Sequence, residues 1–270
     1  MSQSEQIITA PTAQPIDVIE ARRHVRQDDV TDDAKIKACI MAARNAAEMR
    51  TQRQLIGARW MATLDGFYSA ARGQVIKLQK SPVLLVESIQ YLAMDGSTQT
   101  VPATDYKVDY SSEPCRITPV FGKIWPIPLP QIGSVTITYL AGFATPFTAS
   151  GSNIAVSVWK PLIVGAVLRL SNSGGALPAP LQVDTDYTIN TVVSPGVYTL
   201  ALNGVAVTLT DSGSGTNFIG VVSESTRAWM LLRIGALYET REEVAVGTRI
   251  VVLELPFADC LLDADTVRDY

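Results

Sequence analysis

His24 is the single histidine in 270 residues, so neither a two-histidine relay nor a multi-histidine metal site can be built within one chain. Glu20 stands one helical turn before it, and the pair reads as a surface or interface ion pair rather than a catalytic dyad. Asp28, Asp29, Asp32 and Asp33 could gather a cation, but their place just ahead of a helical stretch suits complementation of the helix dipole. Asp105, Asp109 and Glu113 could run paired-carboxylate hydrolysis only if they converged across a cleft. Gly213-x-Gly215 follows strand-like sequence and opens no helix, so it reads as a tight turn and not as a phosphate cradle. Cys39, Cys115 and Cys260 are odd in number and far apart, with no CxxC pair, which fits a reducing compartment and three buried thiols. The expectation is a protein with no catalytic, cofactor-binding or metal-binding residue, hence not an enzyme.

The elements that would carry these residues begin with a polar lead ending in Pro11 and Pro15. Ile16–Arg26 reads as a short helix, acidic early and basic late. A second helix opens at Thr31-Asp32-Asp33, with Ile36, Cys39, Ile40, Ala43, Ala46 and Ala47 on one buried face and Arg44, Arg50 and Arg53 towards its end. From Arg59 the period becomes two. Strands are expected at Trp60–Leu64, Val75–Leu78, Val83–Leu92, Tyr106–Tyr110 and Val135–Tyr139. Trp125-Pro126-Ile127-Pro128-Leu129-Pro130 lacks three backbone donors and should run extended on the surface as a lip or contact arm. Trp125 within it could stack on a sugar, but packing between protomers is the preferred reading.

Composition then shifts. Between Thr145 and Val222 the charged side chains are Lys160, Arg169, Asp184, Asp186 and Asp211 alone. Asn203-Gly204 is a two-residue hairpin signal and Ser194-Pro195-Gly196 a second turn. A small all-β module is expected over 145–222, inserted between a core at 1–144 and a closing segment at 223–270. Helix returns from Ser225 to about Glu243. Ala228, Leu231, Leu232 and Tyr238 fall on one side, with Trp229, Ile234 and Leu237 spread around others, a wide apolar surface that suggests a neighbouring subunit. An apolar run, Ile250–Leu255, leads to Pro256 and a tail with Phe257, Leu261 and Leu262 among carboxylates, ending at Tyr270. That tail has little apolar surface of its own, so it either docks on a neighbour or packs back on its own subunit.

A hydrophobic content of 47% is enough for a real core, and a net charge of −4 disfavours sequence-independent nucleic-acid binding. The N-terminus lacks the basic and apolar regions of a secretory signal. No stretch reaches the roughly 18 apolar residues that cross a bilayer, so no membrane partner is expected.

Several phrases, in collinear order, resemble the phage head-tail connector (adaptor) family. Ile16–Asp28 is similar to its opening amphipathic helix. Leu55–Trp60 followed by Leu64–Phe67 looks like its first strand. Val86–Leu92 with Asp95-Gly96, then Asp105–Asp109, resembles its β region, and Val135–Phe143 its closing strand and glycine turn. Arg227–Glu243 resembles its long third helix and Leu255–Leu262 its terminal motif. In shorter relatives the closing strand leads almost directly to the third helix, whereas here residues 145–222 intervene. The resemblance implies an α+β fold: a helical core of two N-terminal helices plus a long C-terminal helix, with a β-strand region and an inserted small all-β domain. It also implies a homo-oligomeric, dodecameric ring in the virion neck, made in the host cytoplasm. Such a ring binds the portal protein, docks a stopper or tail-completion protein, and passes DNA as non-specific cargo during genome ejection, with no cofactor. Phe257, Leu261, Leu262 and Tyr270 are then candidates for docking on the portal or a neighbour; Trp125, Trp229, Ile234 and Leu237 are candidates for the protomer interface. A competing expectation is a virion decoration or host-attachment protein that displays the β module.

Overall fold

The computed structural model describes residues 3–67, 74–157, 159–239 and 256–267, with 256–259 by backbone alone. Three packed units are interleaved along the chain. The first is a β-sandwich. Strands β1 (Gln3–Thr9), β2 (Ala58–Leu64), β4 (Val83–Leu92), β5 (Thr98–Thr100) and β8 (Val135–Ala141) form an antiparallel sheet in the order β1-β2-β8-β4-β5. Strands β3 (Ile76–Leu78), β6 (Tyr106–Asp109) and β7 (Cys115–Pro119) form a second sheet in the order β3-β7-β6. Alternate residues of facing strands supply the core, Leu64, Ile76, Leu78, Ile89, Ile117, Ile137 and Tyr139 among them. Burying each of these large side chains stabilises the fold by about 1.5–3 kcal/mol.

The second unit is helical. Helices α1 (Val18–His24), α2 (Asp33–Thr51), α3 (Glu224–Glu239) and α4 (Pro256–Asp263) close around Ile16, Ile36, Ile40, Ala43, Ala47, Trp229, Met230, Ile234 and Leu262. The alanines of α2 let its neighbours approach closely, as the period of its apolar face requires. On α3 the buried face is Thr226, Trp229, Met230 and Ile234, while Ala228 and Leu232 are exposed. Leu231, Leu237 and Tyr238 pack half-buried against the same core. The expected continuation to Glu243, and the run 250–255, lie outside the described residues.

The third unit is a closed barrel. Strands β9 (Ala144–Ser150), β10 (Asn153–Val156), β11 (Val167–Ser173), β12 (Asp186–Ser194), β13 (Val197–Leu202), β14 (Val205–Ala206) and β15 (Thr216–Gly220) run β10-β9-β15-β11-β12-β13-β14. Pairing of Ile154 with Tyr198 joins β10 to β13, closing six strands with β14 appended. Closure removes the exposed sheet edges that a charge-poor β module would otherwise present. Asn203 (φ 51°) and Gly204 (φ 80°) both take the left-handed conformation that a two-residue hairpin of this kind needs.

The expected fold class is overturned. The chain is mostly β, with fifteen strands against four short helices among the described residues, and no helical core carries an inserted β domain. Two causes are visible. The polar lead is strand β1, whose sequence Gln-Ser-Glu-Gln-Ile-Ile-Thr lacks the alternation of a half-buried strand and so disguises an edge strand lying on β2. The barrel is also continuous with its surroundings: Ala144, Phe218 and Val222, from its first and last strands and the exit from them, are members of the helical core. At the junction, a Cβ on Gly142 would stand 2.6 Å from the Gly57 backbone. Only a residue without a side chain fits where β8 turns into β9.

Candidate assembly surfaces

The acidic groups that could have made a catalytic or cation site are dispersed among separate partners. Asp29 Oδ1 accepts the Thr31 amide at 2.9 Å, which holds its carboxyl below the usual aspartate range. Asp32 accepts the Tyr238 hydroxyl at 2.6 Å, and Asp33 pairs with Arg22 at 3.2 Å. Asp109 is bound by Ser111 and Arg116, which hold it well below the ordinary value, while Asp105 pairs with Lys123 and Glu113 with Arg53. No cluster of three or more potential metal ligands occurs among the described residues. Cys39 and Cys115 are buried, with the Cys115 thiol pushed up to about 12 by desolvation. Cys260 is exposed, contrary to its expected burial.

Glu20 does not serve His24. It takes a bidentate contact from Arg227 of α3, at 2.8 and 2.9 Å, and accepts the Ser173 hydroxyl of β11. Ser173 Oγ in turn accepts the Asp17 amide at 2.6 Å, and Asp17 Oδ2 accepts the Thr216 hydroxyl at 2.7 Å. Helix α1, helix α3 and the barrel are thus joined by one half-buried, charge-assisted network, the kind of bond that is strong only where both partners are held. Gly174 is required beside it, since a Cβ there would meet Asp17 Oδ1 at 2.6 Å.

The tail is held by a second network. Asp265 Oδ2 accepts from Ser223, from Ser225 at 3.2 Å and from Thr226 at 2.7 Å, so a carboxylate from the far end of the chain caps the start of α3. The Arg53 guanidinium donates to the Asp265 carbonyl, and the Val267 amide donates to the Thr51 carbonyl at 2.9 Å. Leu262 is buried in the helical core and Leu261 packs against it. Of the four tail candidates, these two are occupied within their own subunit. The Phe257 side chain and Tyr270 lie outside the described residues.

The expected interface residues are also largely consumed internally. Trp229 and Ile234 are buried in the helical core, and Leu237 packs against it half-buried. Trp125 stacks on Phe67 with ring centroids 4.9 Å apart and donates Nε1–H to the Gln74 carbonyl at 2.8 Å. It anchors its loop to the sandwich and leaves no face free to meet a neighbour or a sugar.

What remains open lies elsewhere. Around Trp125, residues 120–132 form neither helix nor strand and present Phe121, Ile124 (77% exposed), Ile127 (80%) and Ile132 (92%) to solvent. Exposed apolar residues so concentrated mark contact surfaces more often than chance exposure does. A groove of about 470 Å³ runs between α2 and β9, bordered by Ile40, Met41, Pro146 and Thr148. It continues into a hollow of about 310 Å³ beside Pro195 and Val197. The proline phrase Trp125–Pro130 was the sequence signal for the first surface. The groove had none, because its walls come from residues more than a hundred positions apart.

No family model matches the chain, and no curated protein does. Solved structures do. A chain in the neck of an empty gene transfer agent particle, computed with C6 symmetry, aligns with a TM-score of 0.56 at 17% identity, covering 99% of this chain and 97% of that one. A chain in the virion of a native gene transfer agent particle gives 0.56 at 16% identity, covering 98% and 96%. A chain in the native neck, computed with C12 symmetry, gives 0.53 at 17% identity, covering 100% and 97%. The likeness therefore embraces sandwich, helices and barrel together, and what it establishes is a shared fold.

Proposed function

We propose that the chain is a structural component of the neck of a tailed-phage-like particle, a head-to-tail connector that acts by assembly and not by turnover. In this reading, identical copies form a twelve-membered ring beneath the portal. The ring extends the DNA channel and offers a docking face to the stopper or tail. Residues 1–144 and 223–270 form its connector body, and residues 145–222 contribute the barrel. The observation that carries it is full-length similarity of fold to chains from neck and virion structures solved with six- and twelve-fold symmetry. Supporting it, the carboxylates weighed for catalysis are engaged in separate ion pairs, Asp105 with Lys123, Asp109 with Arg116 and Glu113 with Arg53.

Native mass spectrometry of the purified chain, alone and with its cognate portal, tests the proposal. Ring-sized species in either condition are expected. A chain that stays monomeric at all concentrations and does not bind the portal would overturn it.

A further inference from the structure

Two apolar surfaces are left uncovered among the described residues, and they cannot cover one another. The arm at 120–132 emerges where β4 ends and β8 begins; the Leu129 amide donates to the Leu92 carbonyl at 2.8 Å. The groove lies beyond the opposite end of β8, past Ala141, between α2 and β9. Seven residues of strand put roughly 20 Å between the arm and that junction. Resting on the ring reading above, we infer that the arm of one copy seats in the α2–β9 groove of the next, making the head-to-tail contact that closes the ring.

Four features favour a second copy as the occupant. A contact between two different patches of the same molecule repeats around a ring, whereas a patch that meets itself stops at a dimer. The arm is preorganised: Trp125 is locked by its stack and hydrogen bond, Leu129 is tied to β4, and Pro126 and Pro128 restrict the backbone between them. Little ordering entropy then opposes docking, the advantage that proline-rich segments bring to apolar grooves. The arm itself also carries little charge. Lys123 is the single charged residue from 121 to 132, and it is paired with Asp105 at 3.2 Å. Finally, the groove supplies what an extended apolar segment needs: Ile40, Met41 and Pro146 along its walls, and the carbonyl oxygen of the Gln14 side chain buried without a hydrogen-bond partner at its edge.

Trapping the contact by disulfide formation tests the pairing. Two full-length proteins, Ile127→Cys and Thr148→Cys, each also carrying Cys260→Ser, are mixed under mild oxidation. Both positions are exposed in the single chain, and Cys39 and Cys115 are buried. A cross-linked dimer from the mixture, with little from either protein alone, is the expected result. In parallel, Ile127→Asp should raise the concentration needed for ring assembly by about tenfold or more, the effect of losing one well-packed anchor, while Ile127→Leu leaves it unchanged. Rings that form normally with Ile127→Asp and yield no mixed cross-link would overturn the arm-in-groove contact and leave the ring reading standing. Efficient cross-linking of Ile127→Cys with itself would also overturn it, by showing that arms meet arms. A chain monomeric in every condition, with portal included, would remove the ring reading, and this contact with it.

Discussion

Helix α3 and the loop at 120–132 are opposites. The helix is rich in apolar residues on several sides, and sequence alone marks it as a surface awaiting a neighbour. In the folded chain, Trp229, Met230 and Ile234 are covered by α2, α4 and the barrel exit, and Asp265 caps its start. The loop is short and interrupted by prolines, yet it holds Phe121, Ile124, Ile127 and Ile132 in water. The difference teaches that a protomer's unsatisfied surface is set by what its own distant segments reach, not by apolar density. Residues 256–267 reach α3, whereas no other segment among the described residues covers Phe121, Ile124, Ile127 and Ile132.

The largest test of that contrast is Trp229→Ala. If α3 belongs to the protomer's own core, truncating this ring should destabilise the isolated chain by about 3–5 kcal/mol in denaturant unfolding. A loss below about 1 kcal/mol would move Trp229 to an interface between copies. Next comes Asp265→Ala, which strips the cap from Ser223, Ser225 and Thr226 together. The expected cost is about 1–3 kcal/mol, with faster amide exchange at the start of α3 and in residues 260–267. Unchanged exchange in either place would mean the tail is not held to its own subunit in solution.

Much of the local structure was legible in the sequence. The face of α2 was readable from Ile36, Cys39, Ile40, Ala43 and Ala47, strand β8 from the alternation of Val135, Ile137 and Tyr139 with threonine, and the β13–β14 hairpin from Asn203-Gly204. Local signals suffice there because the hydrogen bonds and the buried face lie within one window. The architecture was not legible for the complementary reason. The barrel staves β9, β11 and β15 are short, and each has a partner far away in sequence: Phe147 opposite Asn217, Leu170 opposite Ile219. No window contains such a pairing. Glu20 was assigned to its helical neighbour His24 for the same reason, when its real partner, Arg227, is 207 positions on.

A finer test concerns the turn from α2 into the sandwich. Glu48 Oε1 accepts Gln54 Nε2–H at 2.8 Å and the Leu55 amide at 3.1 Å, and burial raises its carboxyl above the ordinary value against the opposing pull of Arg44 at 3.7 Å. A carboxyl that binds its proton more tightly folded than unfolded adds stability as pH falls through its raised value, and penalises the fold above it. Glu48→Gln keeps an acceptor for both donors and removes the charge. It should therefore be neutral or stabilising by up to about 1 kcal/mol at pH 7, with the gap from the parent narrowing as pH falls towards the usual glutamate range. A variant less stable at pH 7, with a gap that narrows on acidification, would mean the ion pair with Arg44 outweighs desolvation.

The smallest expected effect on stability sharpens the contrast most. Ile127→Ser replaces a side chain that touches solvent and leaves Trp125 and Leu129 to hold the arm. Unfolding of the single chain should change by less than about 0.5 kcal/mol, the range of surface substitutions remote from caps and cores. An isoleucine that can be removed at so little cost to its own subunit contributes nothing to that subunit's fold to offset its exposure. If Ile127→Ser instead destabilised the monomer by 1 kcal/mol or more, the arm would have to pack on its own sandwich in solution, and the division between a self-satisfied helix and an open loop would fail.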